Sequence, residues 1–227
     1  MKTNIQKTDE VIKADVLAEL KFDPHVKVTD IGVLVTGGTV TLNGYATSYG
    51  EKWEAVKATK RVAGVNAIAD DMEVRPPNSS RQTDGDIAHA ALKLIDASPS
   101  VQAGTVHVTV SEGWVTLEGE VEWWHQRDSA KNAIRHLPGL KGVSNLISIK
   151  SIVTSEEVEK DIRAAFERNA LLDSSKIKVE TSGHHVVLHG RVRNYAEREE
   201  AERVAGCALG VTSVDNQLAV RWFGLAN

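Results

Sequence analysis

A pattern of 68 residues occurs three times without a gap, at Thr8–Arg75, Thr83–Lys150 and Thr154–Arg221, with offsets of 75 and 71 residues. Seven aligned positions are identical in all three copies: Thr8/Thr83/Thr154, Val33/Val108/Val179, Val40/Val115/Val186, Leu42/Leu117/Leu188, Gly44/Gly119/Gly190, Ala55/Ala130/Ala201 and Gly64/Gly139/Gly210. Many others exchange one apolar type for another, as in Leu20/Ile95/Phe166. Self-similarity of this kind sets the architecture before any local propensity does. The 227 residues form three tandem small domains, 8–75, 83–150 and 154–221. The linkers differ. The first, Pro76 to Gln82, starts stiff and turns polar. The second, Ser151-Ile152-Val153, reaches at most ~10 Å, so domains two and three are expected in contact and domain one freer.

Each copy opens with an apolar stripe at helical spacing: Ile12-Val16-Leu20, Ile87-Ala91-Ile95 and Val158-Ile162-Phe166. Thr8, Thr83 or Thr154 stands before it, where a hydroxyl caps free backbone N–H groups. Thr154-Ser155-Glu156-Glu157 has the capping-box form. Two runs of period two follow, reading as half-buried strands joined by tight hairpins at Gly37-Gly38, Glu112-Gly113 and Gly183-His184. A glycine then ends the second strand (Gly44, Gly119, Gly190), which marks positive φ or close backbone approach. A second helix carries small residues on one face (Ala55-Ala58-Val62 in the first copy). It ends at Gly64, Gly139 or Gly210, which suit a left-handed helix terminus. The last strand is Ile68-Asp70-Met72-Val74 and its equivalents. The order is αββαβ, an α+β class. The strand–helix–strand crossover makes the last two strands parallel, giving a three-stranded mixed sheet with two helices on one face.

The V-x-V-x-L-x-G strand and the terminal G-[VL]-x-x-[VI]-x-[ND]-x-[MIL] signature resemble the BON domain. In copy one these read Val40-Thr41-Leu42-Asn43-Gly44 and Gly64-Val65…Ile68…Asp70…Met72. The terminal signature recurs as Gly139-Leu140…Val143…Asn145…Ile147 and Gly210-Val211…Val214…Asn216…Leu218. The resemblance implies a non-enzymatic protein of bacterial envelope or osmotic stress that binds phospholipid or a membrane-associated protein. It also leaves room for a cytoplasmic ion or small-ligand sensor, since one cytoplasmic member binds potassium, and for a chaperone-like or structural assembly protein.

Composition excludes several other classes. No apolar run approaches the ~18 residues of a membrane span. Met1 to Lys13 lack the apolar core of a signal peptide, so a cytoplasmic protein, peripheral to the membrane at most, is expected. The lone cysteine, Cys207, forms no internal disulfide. The formal charge is −4 and the copies carry −3, −2 and −2, so no nucleic-acid partner is expected. No nucleophile elbow, phosphate loop or zinc-protease motif is present, and neither catalysis nor a cofactor is expected. Cys207 lies on the second helix with no activating motif around it.

His184, His185 and His189 look metal-like. A strand separates the last two by ~13 Å, which two ligands of one ion cannot span, so no metal site is expected. Arg191 and Arg193, with Lys176 and Lys178, read as a solvated, ion-paired sheet edge. Tyr49, Trp124 and Tyr195 share one repeat position before the second helix and read as a packing staple. Trp123, whose equivalents are Ser48 and Asn194, and Trp114, whose equivalents are Thr39 and His185, are not demanded by the fold. Trp222 and Phe223 follow the last repeat. These four residues are the candidate lipid or partner contacts. Filling contacts between the copies is their alternative role.

Overall fold

A computed structural model describes residues 7–77, 82–150 and 158–220. The first domain consists of α1 (Asp9–Phe22), β1 (Ile31–Thr36), β2 (Thr39–Ala46), α2 (Tyr49–Arg61) and β3 (Ala67–Val74). The second has α3 (Asp84–Asp96), β4 (Val106–Ser111), β5 (Trp114–Val121), α4 (Trp124–Ile134), β6 (Gly142–Asn145) and β7 (Ser148–Ile149). The third has α5 (Val158–Arg168), β8 (Ile177–Ser182), β9 (His185–Val192), α6 (Tyr195–Gly206) and β10 (Ser213–Val220).

Each sheet is mixed: β1/β2, β4/β5 and β8/β9 are antiparallel, while β2/β3, β5/β6 and β9/β10 are parallel. β6 and β7 together occupy the place of one strand, because both pair with β5 in continuous register. The expected αββαβ order and strand directions are therefore the observed ones.

The first helices bury the expected stripes. Ile12, Val16 and Leu20, then Ile87, Ala91 and Ile95, then Val158, Ile162 and Phe166 are all at most 2% exposed. Each stripe joins a core of its own domain with the inward strand residues, such as Val40-Leu42, Val115-Leu117 and Val186-Leu188. Thr8 accepts from the Val11 N–H, and Thr83 forms a reciprocal box with Asp86. Thr154 and its capping-box sequence lie outside the described residues. Asp9 adds a tie that links helix to hairpin. Its carboxylate accepts from Gly37 N (2.7 Å) and Gly38 N (2.9 Å), and Asp84 does the same for Glu112 and Gly113.

The shared glycines lie two residues before the ends of β2, β5 and β9 rather than at them, and they sit where no side chain fits. Gly44, Gly119 and Gly190 have φ of 100°, 137° and 133°. A Cβ there would lie 2.2, 2.1 and 2.0 Å from the carbonyl oxygens of Asp30, Thr105 and Lys176. The glycine thus lets the segment entering the first strand cross close over its neighbour.

One expectation is corrected. Domain one is not free: it docks on both others through α2. A longer linker sets reach, not affinity, and here complementary helix ends decide the arrangement.

Candidate functional site

Docking between the domains runs through the second helices, each start meeting the end of another. At the start of α2, Tyr49 packs on the core of domain two. Gly50 admits the close approach of His136 and the Arg135 carbonyl. Arg135 stacks its guanidinium 4.2 Å from the centre of the Trp53 ring, a cation–π contact. Burial between the two domains raises the Tyr49 phenol, the Asp70 carboxylate adds to the rise, and Arg135 opposes it.

At the start of α4, Trp124 is 8% exposed and lies against Gly206 at the end of α6, where a Cβ would be 2.6 Å from its ring. At the start of α6, Tyr195 packs on the core of domain one, and Glu199 pairs with Lys60 at the end of α2. The contacts close into a cycle: domain one on two, two on three, three on one.

Trp53, Asp128 and Glu199 share one repeat position, and Lys60, Arg135 and Gly206 share the facing one. Two joints therefore hold a cation, against an aromatic ring or a carboxylate. The third has a glycine instead, so no cation faces Asp128 from that position. Burial raises the Asp128 carboxyl and nearby Glu202 adds to the rise, against the lowering effect of Arg127, the Trp124 hydrogen bond and Lys131. Between the three helices lies an open cleft of about 530 Å³. Its charges are mostly matched in pairs, as Lys60–Glu199 and Arg203–Glu200 show.

The aromatic staple expected at Tyr49, Trp124 and Tyr195 is thus a packing device of another kind. These residues begin the second helix rather than precede it, and each packs across a domain boundary. The second helices stop three to five residues before the glycines expected to end them, Gly64, Gly139 and Gly210. Trp53 and its contact with Arg135 were not foreseen. A cation four repeat positions before the shared glycine, facing an aromatic or acid seven residues earlier in another copy, is the only trace of the contact in the sequence.

Trp114 and Trp123 take no part in this docking. Trp114 starts β5 and is 50% exposed, while Trp123 follows the end of β5 and is 36% exposed. They stand at opposite ends of a strand about 23 Å long, so they do not form one patch. Trp222 and Phe223 lie outside the described residues.

Trp123 occupies the N-cap of α4. At the equivalent N-caps, Ser48 and Asn194 accept from the backbone of Glu51 and Glu197 through their side chains. An indole cannot accept in this way. The turn is held instead by Gln126, whose side-chain oxygen accepts from Glu122 N (3.0 Å) and Trp123 N (2.9 Å). The same position holds Glu51 and Glu197, which are 6% and 5% exposed. Glu51 accepts from Lys27 N, Thr47 N and the Thr47 hydroxyl. Glu197 accepts from Asp173 N and from Arg193 N and Nε. These buried carboxylates clamp two loops and were missed in the sequence, although an acid three residues after Ser48 or Asn194 has the capping-box form.

The remaining candidates resolve separately. His184 meets the Gly210 carbonyl, His185 meets Ser213 Oγ and His189 faces Glu180 at 3.6 Å. Among the described residues, no three His, Cys, Asp or Glu are placed to hold one metal ion. Lys176, Lys178 and Arg193 pair with Asp173, Glu180 and Glu197. Hydrogen bonds from Lys176 and Ser175 hold Asp173 below the usual carboxylate range. Cys207 is exposed and sits one residue past the end of α6, rather than within it. No described helix is long and apolar enough to cross a membrane.

Comparison with known proteins agrees with this architecture. The osmotically-inducible protein Y of Escherichia coli (strain K12) is 34% identical over 147 residues, 63% of this chain and 73% of that protein. Among solved structures, CdsD, a structural protein of the type III secretion system of Chlamydia trachomatis, aligns over 93% of this chain and 92% of its own. The identity is 14% and the TM-score 0.26, too slight a likeness to bear on arrangement or function. The BON domain model matches residues 8–76, 83–151 and 154–221, one match per αββαβ unit, and the chain belongs to the BON domain family.

Proposed function

We propose that the protein is a non-catalytic binding protein of an osmotic-stress response at the cell envelope, and that it contacts phospholipid membrane through Trp123. Kinship with an osmotically inducible protein supports the setting. The observation that carries the contact is the choice of residue at the α4 N-cap. Ser48 and Asn194 cap their helices at this position, a device worth about 1 kcal/mol. Trp123 forgoes it and leaves its indole 36% exposed, while other aromatics perform the docking. An amphipathic ring of this kind suits the boundary between headgroups and acyl chains. The charge of −4 makes electrostatic attraction to anionic lipid a minor contribution.

Vesicle co-flotation with neutral and anionic phospholipids tests the reading. Trp123→Ser restores the residue found in the first domain, so the fold is kept. Wild type floats with vesicles at physiological salt and Trp123→Ser loses at least tenfold in binding. Equal flotation of the two, or none by wild type, contradicts the proposal.

A further inference from the structure

Trp114 differs from Trp123 in posture. Three consecutive atoms of its six-membered ring, Cε3, Cζ3 and Cη2, lie 2.4–2.6 Å from where a Cβ of Gly142 would be. Such near-equal distances place the ring face over Gly142, not its edge. The indole Nε1 donates to Ser144 Oγ at 2.8 Å. Gly142 and Ser144 are alternate residues of β6 and share one sheet face. The ring therefore lies flat along the sheet, pinned at both ends, with its other π-face in water and the side chain 50% exposed.

The surroundings are chemically distinctive. Cross-strand pairing puts Ser111 and Gly142 on either side of Trp114, and Thr109 and Ser144 on either side of Thr116. Four hydroxyls thus share the face with the indole, none of these four positions is charged, and the acids of the same strand face, Glu118 and Glu120, lie toward the other end of β5. The equivalent face of the third domain presents Glu180 and Asp215, and that of the first presents Leu34 and two alanines, Ala67 and Ala69. The arrangement is a property of domain two alone.

A flat indole cannot insert into a bilayer. Stacking a nucleobase would call for cations along the strand to meet phosphate, and a cationic ligand would call for carboxylates beside the ring, whereas Glu118 stands four residues, about 13 Å, along the strand. The neutral end of the face, around the indole, complements an uncharged ligand. A pyranose ring whose hydroxyls are all equatorial has an apolar C–H face to lay on the π-surface, and its hydroxyls match the donors and acceptors of serine and threonine. We propose that Trp114, with Thr109, Ser111, Thr116 and Ser144, is a stacking platform for a neutral β-linked glycan.

The test follows the five indole N–H resonances of the full chain during titration with chitohexaose and with cellohexaose. The Trp114 resonance shifts with half-saturation at about 1–10 mM, as expected of a single stacking contact, and the Trp123 resonance stays in place. Trp114→Thr, which installs the first domain's residue, abolishes glycan-induced shifts on neighbouring Thr116. Gly142→Ala keeps the indole but lifts it from the sheet, and weakens binding at least fivefold. No movement of Trp114 with either glycan overturns the proposal. So do Thr116 shifts that persist in Trp114→Thr, or a Trp114 resonance that responds to phospholipid vesicles and not to glycan. Flotation through Trp123 is read independently, so either site can fail alone.

Discussion

Alanine at Gly119 should damage the second domain far more than alanine at Gly37 damages the first, although both glycines have positive φ. Gly37 has φ 58° and open space around its Cβ direction. Alanine there meets only the left-handed backbone penalty, about 1–2 kcal/mol. Gly119 has φ 137°, outside the left-handed region open to other residues. Its Cβ would stand 2.1 Å from the Thr105 oxygen, more than 1 Å inside contact distance. Relief requires β4 to move off β5 at the Val106–Gly119 pair, exposing Val106, which is 3% exposed in the intact core. Backbone strain and lost burial together cost at least about 3 kcal/mol. For a domain of this size that lowers its melting temperature by at least roughly 12–24 °C, against about 4–16 °C for Gly37→Ala. Thermal melts followed by circular dichroism, with amide exchange to locate the loss, provide the assay. A Gly119→Ala variant within about 1 kcal/mol of Gly37→Ala would refute the reasoning.

Two further outcomes follow from the joints. Asp128→Asn stabilises the protein at neutral pH, because the folded state raises the carboxyl and so disfavours its charged form. Its stability penalty grows as pH climbs from the ordinary carboxylate range through the raised value. The gain from asparagine, read as a melting-temperature difference, therefore vanishes below about pH 3.5, and a gain independent of pH would contradict it. Trp124→Ala removes a nearly buried ring that belongs to none of the three domain cores, at a cost of about 3–5 kcal/mol. Amide exchange should accelerate at the end of α6 as well as in α4, and acceleration confined to α4 would contradict the joint.

The unit was legible because its cause is local. Apolar residues such as Ile12-Val16-Leu20 repeat at helical spacing, Val40-Leu42 at strand spacing, and a shared glycine marks each tight crossing. Three copies supplied the check that one sequence ordinarily lacks. The docking was not legible, because Trp53, Arg135, Glu199 and Lys60 meet only after each domain has folded, and the two facing positions vary in chemistry from copy to copy. Linker length misled for the same reason: it limits reach without specifying which helix ends fit. Trp114 and Trp123 stood out as departures from the repeat. Only the structure shows that one lies flat on a sheet and the other replaces a helix cap.

Solution scattering tests most directly whether the three domains close on one another, leaving these two indoles as aromatics outside the joints. A compact chain of 227 residues has a radius of gyration of about 17 Å. The cyclic docking of α2, α4 and α6 predicts a value close to it, unchanged on dilution. A radius above about 22 Å, with the scattering of separate domains on linkers, would contradict the account.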